Sequence, residues 1–210
     1  MSDHEILRLE GVSKYFPSKG SLLSGGRQQV HAVEPIDLAV NRGECLGIVG
    51  ESGSGKSTLG RLALRLIEPT RGRIFYQGEE ISSMNPRALR RRRARMQMIF
   101  QDPYSSLNPR MSIGEALREP VKFHRTVPAR QVNEHVAELL TRVGLRPDYA
   151  RRYPRALSGG QRQRVAIARA LAVRPSLVVA DEAVSALDVS IQAEILNLLQ
   201  DIREEQELTT

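Results

Sequence analysis

The residues Gly50-Glu51-Ser52-Gly53-Ser54-Gly55-Lys56-Ser57-Thr58 match the pattern G-x-x-x-x-G-K-[ST]. Its glycines let a backbone wrap tightly, so that successive N–H groups point inward at phosphate oxygens. A helix beginning at Lys56 would add partial positive charge at the same spot. Lys56 then reaches the β- and γ-phosphates of a nucleotide, and the Ser57 hydroxyl ligates Mg²⁺. A second candidate is the acidic pair Asp181-Glu182, at the end of the apolar run Leu177-Val178-Val179-Ala180. Neighbouring side chains on a strand point to opposite faces, so the two acids can take different tasks. Asp181 suits Mg²⁺, directly or through water, and Glu182 suits a general base for an attacking water. The plainer alternative is a strand exit with two solvated acids. A third is Leu157-Ser158-Gly159-Gly160-Gln161 ahead of Arg162-Gln163-Arg164. Ser158 is a good N-cap residue, and the glycines after it expose backbone N–H groups. That is a second helix start suited to an anion, here without a lysine. Its plainer alternative is a capped helix with a basic solvated face.

The elements that position these groups follow from apolar spacing. Ile6–Val12, Ile36–Val40, Arg73–Gln77 and Met96–Phe100 read as strands. The run 44–49, bounded by glycines, is expected as a buried strand feeding the phosphate loop. Lys56–Ile67 takes a helical pattern that ends before Pro69. Further helices are expected over 130–143, 159–172 and 190–207, and Leu177–Ala180 as a strand. Residues 18–26 are rich in Gly and Ser and read as a flexible loop. The order predicts an α/β core with a helical insertion.

The composition agrees. A chain of 210 residues with 40% hydrophobic and 26% charged residues can bury a core and is not disordered. The single cysteine, Cys45, excludes an internal disulfide framework and a multi-cysteine metal site, and fits a reducing cytosol. The apolar runs are far short of a membrane span, and no secretory signal is visible. A net charge of +7 attracts phosphates of any kind, while 4% aromatics argues weakly against a base-stacking platform for nucleic acid.

Taken together, these motifs resemble one family, the nucleotide-binding subunits of ABC transporters. LSGGQ at 157–161 is that family's signature. Tyr15, in SKYF, matches its adenine-stacking aromatic residue, and Gln101, in MIFQDP, matches the Q-loop glutamine that touches Mg²⁺ and the attacking water. Ser185-Ala186-Leu187-Asp188 matches the D-loop, and Asp188 is also placed to cap the last helix. The resemblance covers residues 5–210 and implies a single nucleotide-binding domain of α/β class, a P-loop NTPase core with a mixed sheet flanked by helices, an antiparallel β portion and an inserted helical subdomain. In it, 1–101 and 173–210 form the ATP-binding core, and about 102–172 the helical subdomain carrying the signature.

The resemblance also implies a mechanism. ATP with Mg²⁺ is sandwiched between two subunits, the phosphate loop of one facing Ser158, Gly159, Gly160, Gln161 and Asp188 of the other. Residues 101–110 and 188–192 are similar to the oligopeptide, dipeptide and nickel importers. That implies two membrane permease subunits docking at residues 102–111, a substrate-binding protein acting indirectly, and a place at the cytoplasmic face of the membrane. Two departures stand out. Ala183 follows Glu182 where the pattern usually has Pro, and no histidine stands after the last helix, where the family has its switch histidine. The resemblance therefore implies a C-terminally truncated chain of weak or no ATPase activity. The run Arg87, Arg90–Arg93 and Arg95 reads as a solvated, partly helical face rather than a nucleic-acid or lipid site. Soluble ABC-type ATPases remain an alternative, although Gln101 and Ser158 are too close to admit a long coiled coil. A GTPase is disfavoured, since no N-K-x-D motif is present.

Overall fold

The computed structural model describes residues 4–17, 29–102, 106–183 and 188–210. The stretch 18–26, residues 103–105 of the expected permease-docking segment, and Ser185, Ala186 and Leu187 of the D-loop lie outside the described residues. The chain divides into two compact units, 1–91 and 92–210.

The first unit is built on an antiparallel sheet. Its strands are β1 (Glu5–Pro17), β2 (Gln29–Asn41), β3 (Arg71–Tyr76) and β4 (Glu79–Glu80), in the order β2-β1-β3-β4. β1 lies between two neighbours and buries Ile6, Leu7, Leu9 and Val12, with Leu7 opposite the buried Tyr76 and Leu9 opposite the buried Ile74 of β3. Its ladders are interrupted. On the β3 side the register shifts between Glu10 and Ser13, where Gly72 passes close to the β1 backbone. Gly72 has φ +89, and a Cβ there would stand 2.4 Å from the Gly11 carbonyl oxygen. Glycine is the residue that can take both the conformation and the approach. On the β2 side, Lys14 faces Val33 while Tyr15 faces His31, so Ala32 is an extra residue in β2.

Helix α1 (Lys56–Ala63) buries Leu59 and Leu62. It stops short of Ile67, where the apolar spacing would carry it. Arg65 turns to φ +47, and its guanidinium donates to the carbonyls of Ile81 and Met84. The run 44–49 corrects the sequence expectation more sharply. It is neither strand nor buried: Ile48 is 47% and Val49 97% exposed. The ladders of this unit belong to the antiparallel sheet, and 44–49 joins none of them. An apolar run becomes a buried strand only beside strands that accept its hydrogen bonds.

Helix α2 (Pro86–Arg93) buries only Leu89 and leaves Arg87, Arg90, Arg91 and Arg93 exposed, as a solvated basic face should. In the second unit, β5 (Met96–Ile99) pairs in parallel with β6 (Leu177–Ala180), from Met96 opposite Leu177 to Ile99 opposite Ala180. Helices α3 (Ile113–His124), α4 (Val132–Arg142), α5 (Gly159–Leu171) and α6 (Val189–Gln206) belong to the same unit. Ile113, Leu117, Val136, Leu140, Ile167, Val178 and Ile195 share its core. Helix α3 has no counterpart in the sequence reading, although Ser112-x-x-Glu115 is a capping box at its start.

Replacing Gly72 by Ala should cost about 1–3 kcal/mol from backbone strain alone. Denaturant unfolding measures it, and an unchanged midpoint would contradict the close approach to β1. The α3 cap is expected to show in acid. The backbone N–H and the hydroxyl of Ser112 hold the Glu115 carboxyl below its ordinary 4.5. A carboxyl lowered by folding stabilises above its unfolded-state value and loses that contribution as the pH falls through the folded one. Ser112→Ala should therefore lower the unfolding midpoint near neutrality and show a shallower acid decline than wild type. Parallel acid titrations of the two would reject this.

Candidate functional site

Each candidate cluster sits inside one unit. In the first unit, the phosphate loop runs from Gly50 into α1. Gly55 is the N-cap residue, in a left-handed conformation with φ +93, and no side chain caps the helix. The first turn of α1 carries no acidic residue. Backbone N–H groups at a helix start have no intrahelical acceptor, so this end is built for an anion. Lys56 Nζ donates to the Gly50 and Glu51 carbonyls at 2.8 and 2.7 Å, and Ser54 N donates to the Glu51 carbonyl at 3.2 Å. The lysine thereby draws the loop into a ring around its own ammonium. Ser57 and Thr58 follow in the first turn, half-buried.

Gly55 also ties the loop to the sheet. A Cβ on Gly55 would stand 2.1 Å from the Ala32 carbonyl oxygen, at the bulge in β2. Tyr15 is one residue along the same ladder, opposite His31. Its amide donates to Thr70 Oγ1 at 3.0 Å, and Lys14 Nζ donates to the Glu68 carbonyl at 2.7 Å, which fastens the end of β1 to the turn after α1. Tyr15 and the loop 50–58 are therefore held together by β2 and by residues 68–70.

In the second unit, the parallel pair β5–β6 sets the acids. Ile99 and Ala180 are the last paired residues. Two positions beyond each, Gln101 Nε2 donates to Glu182 Oε2 at 2.8 Å. Asp181 is 7% exposed, and its amide donates to the Ile99 carbonyl at 2.9 Å. Glu182 is exposed and sits at φ +44. Gln101, Asp181 and Glu182, read from separate stretches of sequence, thus form one cluster. Their oxygens are hard donors of the kind Mg²⁺ takes, as is the Ser57 hydroxyl in the first unit, so the donor chemistry of each cluster fits that ion. Among the described residues no group of three or more His, Cys, Asp and Glu is arranged to hold a metal, so a metal beside the acids would lean on amide and phosphate oxygens as well.

The signature opens α5 with a complete capping box. Gln161 N donates to Ser158 Oγ at 3.3 Å, and Ser158 N donates to Gln161 Oε1 at 3.1 Å. The Gln161 side chain is further held by Tyr149, at 3.2 Å from Nε2 to the hydroxyl. Arg162 is buried and donates to the Leu157 carbonyl, which fixes the chain entering the helix. Gly160 faces the start of α6: a Cβ there would stand 2.8 Å from Ile191 Cγ2. A hollow of about 500 Å³ lies beside Ser158, Gly160, Gln161 and Ile191. Asp188 is the N-cap residue of α6, as expected, but its carboxylate makes no capping hydrogen bond. The α6 start is instead closed by backbone, with Gln192 N on the Asp188 carbonyl at 2.8 Å. Tyr149, Ile191 and His31 carry no sequence signal of their own, because each joins its cluster through packing or a strand bulge.

Comparison with known proteins places this geometry. An ABC transporter family profile matches residues 33–185. The probable peptide ABC transporter ATP-binding protein y4tS of Sinorhizobium fredii is 52% identical over 205 residues, which is 98% of this chain and 58% of that protein. The oligopeptide transport ATP-binding protein AppF of Bacillus subtilis is 50% identical, over 97% of this chain and 62% of its own length. The glutathione import ATP-binding protein GsiA of Escherichia coli is 50% identical over 94% of this chain and 32% of its own. The chain thus spans about three fifths of the first two relatives and a third of the last. Among solved structures, the ATP-binding cassette MJ0796, as a dimer in a post-hydrolysis state bound to ADP and Pi, superposes with a TM-score of 0.84 at 30% identity, covering 97% of this chain and 85% of that one. With a phosphate loop, an acidic pair beside a glutamine, and the LSGGQ helix all formed, and with relatives this close over nearly its whole length, the chain belongs to the ABC transporter family.

Proposed function

We propose that this chain is the ATP-binding and ATP-hydrolysing subunit of a membrane importer for peptides, and that it works by nucleotide-driven pairing of two such subunits. One observation carries the proposal. A single chain presents two helix starts fitted to phosphate, α1 with Lys56 and α5 without a lysine. A second subunit gives the second one a use: Ser158, Gly159, Gly160 and Gln161 of one copy complete the γ-phosphate site on Gly50–Thr58 of the other, with Asp188 alongside. The dimeric state of the MJ0796 structure supports this reading. Residues 1–210 then act as one nucleotide-binding domain, with about 102–172 as the signature-bearing subdomain.

Within the site, Tyr15 stacks on adenine and Lys56 neutralises the β- and γ-phosphates. Ser57, Gln101 and Asp181 are the groups that would hold Mg²⁺, which when bound withdraws charge from the phosphate oxygens. Glu182 takes a proton from the attacking water. Gln101 holds that carboxylate through its amide nitrogen, and its side-chain oxygen is the atom of the amide that could address a metal or water. Loss of the γ-phosphate removes the charge that both helix starts share, and the pair separates. The names of the relatives, peptide, oligopeptide and glutathione, favour a peptide cargo over nickel. The partners are then a second nucleotide-binding subunit, two permeases at the cytoplasmic face of the membrane, and a substrate-binding protein reached through them. No helix among the described residues is long and apolar enough to cross a membrane, which fits a peripheral subunit.

Glu182→Gln should lower ATP turnover by about a hundredfold or more while leaving ATP binding intact, and ATP should drive this variant into dimers on size exclusion. Ser158→Arg in the same background should abolish those dimers. A dimer that persists in the double variant would overturn the shared site. With the cognate permeases in liposomes, ATP-dependent uptake is expected for short peptides and not for Ni²⁺. Uptake of Ni²⁺ alone would reverse the cargo assignment.

A further inference from the structure

Tyr15 does not stand alone on its sheet. The His31 ring lies against the Tyr15 ring, with centroids 4.3 Å apart and planes inclined at 37°. The pairing exists because of the bulge. Lys14 faces Val33, so an uninterrupted antiparallel ladder would set Tyr15 opposite Ala32. The extra residue advances β2 by one position and puts His31 there instead. The displaced Ala32 turns its carbonyl to Gly55 of the phosphate loop. One irregularity therefore supplies both the ring beside Tyr15 and the seat of the loop.

His31 is held from its far side as well. Its Nδ1 lies 2.7 Å from Glu34 Oε1, three residues on. An ionised carboxylate only accepts, so Nδ1 carries the proton and the ring plane is set by Glu34. Both side chains are half or more exposed, at 52% and 68% for His31 and Glu34. Neither is needed to fill the core, and both stand at the end of β1–β2 that carries Tyr15. An aromatic ring stacked on one side keeps its other face for a second flat partner.

We propose that His31, oriented by Glu34, is a positioning residue for the purine base of the bound nucleotide: it covers one face of Tyr15 and presents the other to the base. This rests on the reading of 50–58 and Tyr15 as a nucleotide site, and adds a residue to which neither the phosphate loop nor the aromatic position points. Asp37 and Glu10 stand elsewhere on the same sheet with partners of their own, the Gly11 amide at 2.6 Å and Arg73 at 2.7 Å, so Glu34 is the carboxylate that addresses this ring.

The test separates base from phosphate. Equilibrium dissociation constants are measured with Mg²⁺ for ATP and for inorganic tripolyphosphate, on wild type, His31→Ala, His31→Phe, Glu34→Gln and Tyr15→Ala. His31→Ala should weaken ATP about fivefold, the size of one aromatic contact, and leave tripolyphosphate unchanged. His31→Phe, which keeps a ring but no proton, should restore ATP to within about twofold. Glu34→Gln should fall between the two. Adding His31→Ala to Tyr15→Ala should cost nothing more, since the histidine acts through the tyrosine. If His31→Ala leaves ATP unchanged, or weakens ATP and tripolyphosphate equally, the inference is overturned while the nucleotide site stands. If wild type binds ATP no more tightly than tripolyphosphate, Tyr15 takes no base and the underlying reading fails first.

Discussion

The first half of the site depends on one steric constraint, the contact of Gly55 with the Ala32 carbonyl. A side chain at position 55 would overlap that oxygen. Gly55 must also take φ +93 to turn the loop into α1. Both demands fall on one residue, and glycine meets them at little steric cost. The antiparallel sheet thereby becomes the reference frame of the phosphate loop. Without the bulge at Ala32, the carbonyl would point into the β1 ladder and the loop would lose its seat. The aromatic position and the phosphate position are adjacent for this reason, although they are forty residues apart in sequence.

The signature follows a different logic. Its polar side chains are occupied by architecture: Ser158 and Gln161 close the capping box, and Tyr149 holds the glutamine. What they leave open is the backbone of Gly159, half-buried and bare of a side chain, at the start of a helix whose dipole favours negative charge. Gly160 is further restricted by Ile191, which couples the signature to the first turn of α6. Asp188 begins that helix without using its carboxylate to cap it. A residue chosen only for capping would make that hydrogen bond.

Much of this could be read from the sequence. Lys56, Ser158 and Glu182 announce themselves, because a phosphate loop, a capped glycine pair and a strand ending in acids are local patterns with local causes. The strands at 96–99 and 177–180 and the helices at 132–142 and 159–171 lie close to where their apolar spacing puts them. What failed is non-local. The run 44–49 has the composition of a buried strand, yet strand formation depends on neighbours that composition does not report. His31 and Tyr149 belong to their clusters through a register shift and a tertiary hydrogen bond. Helix α3 was missed for a different reason. Its cap is legible, but Pro120 breaks the expected pattern of a helix interior.

Position 183 shows how a departure from a familiar pattern can be consistent with its surroundings. Glu182 stands at φ +44, in the left-handed region that few residues other than glycine and asparagine favour. A proline after it would clash with its backbone and push it toward extended conformations. Alanine imposes no such restriction, and Ala183 is buried, so it also anchors the turn. The carboxylate can then lean to Gln101 at 2.8 Å, which balances part of the backbone strain with a hydrogen bond to a charged group. Extended backbone at 182 would aim the same carboxylate elsewhere. The missing proline and the acid–amide contact are therefore one feature: the turn after β6 is left free to adopt the conformation in which its base and its glutamine meet.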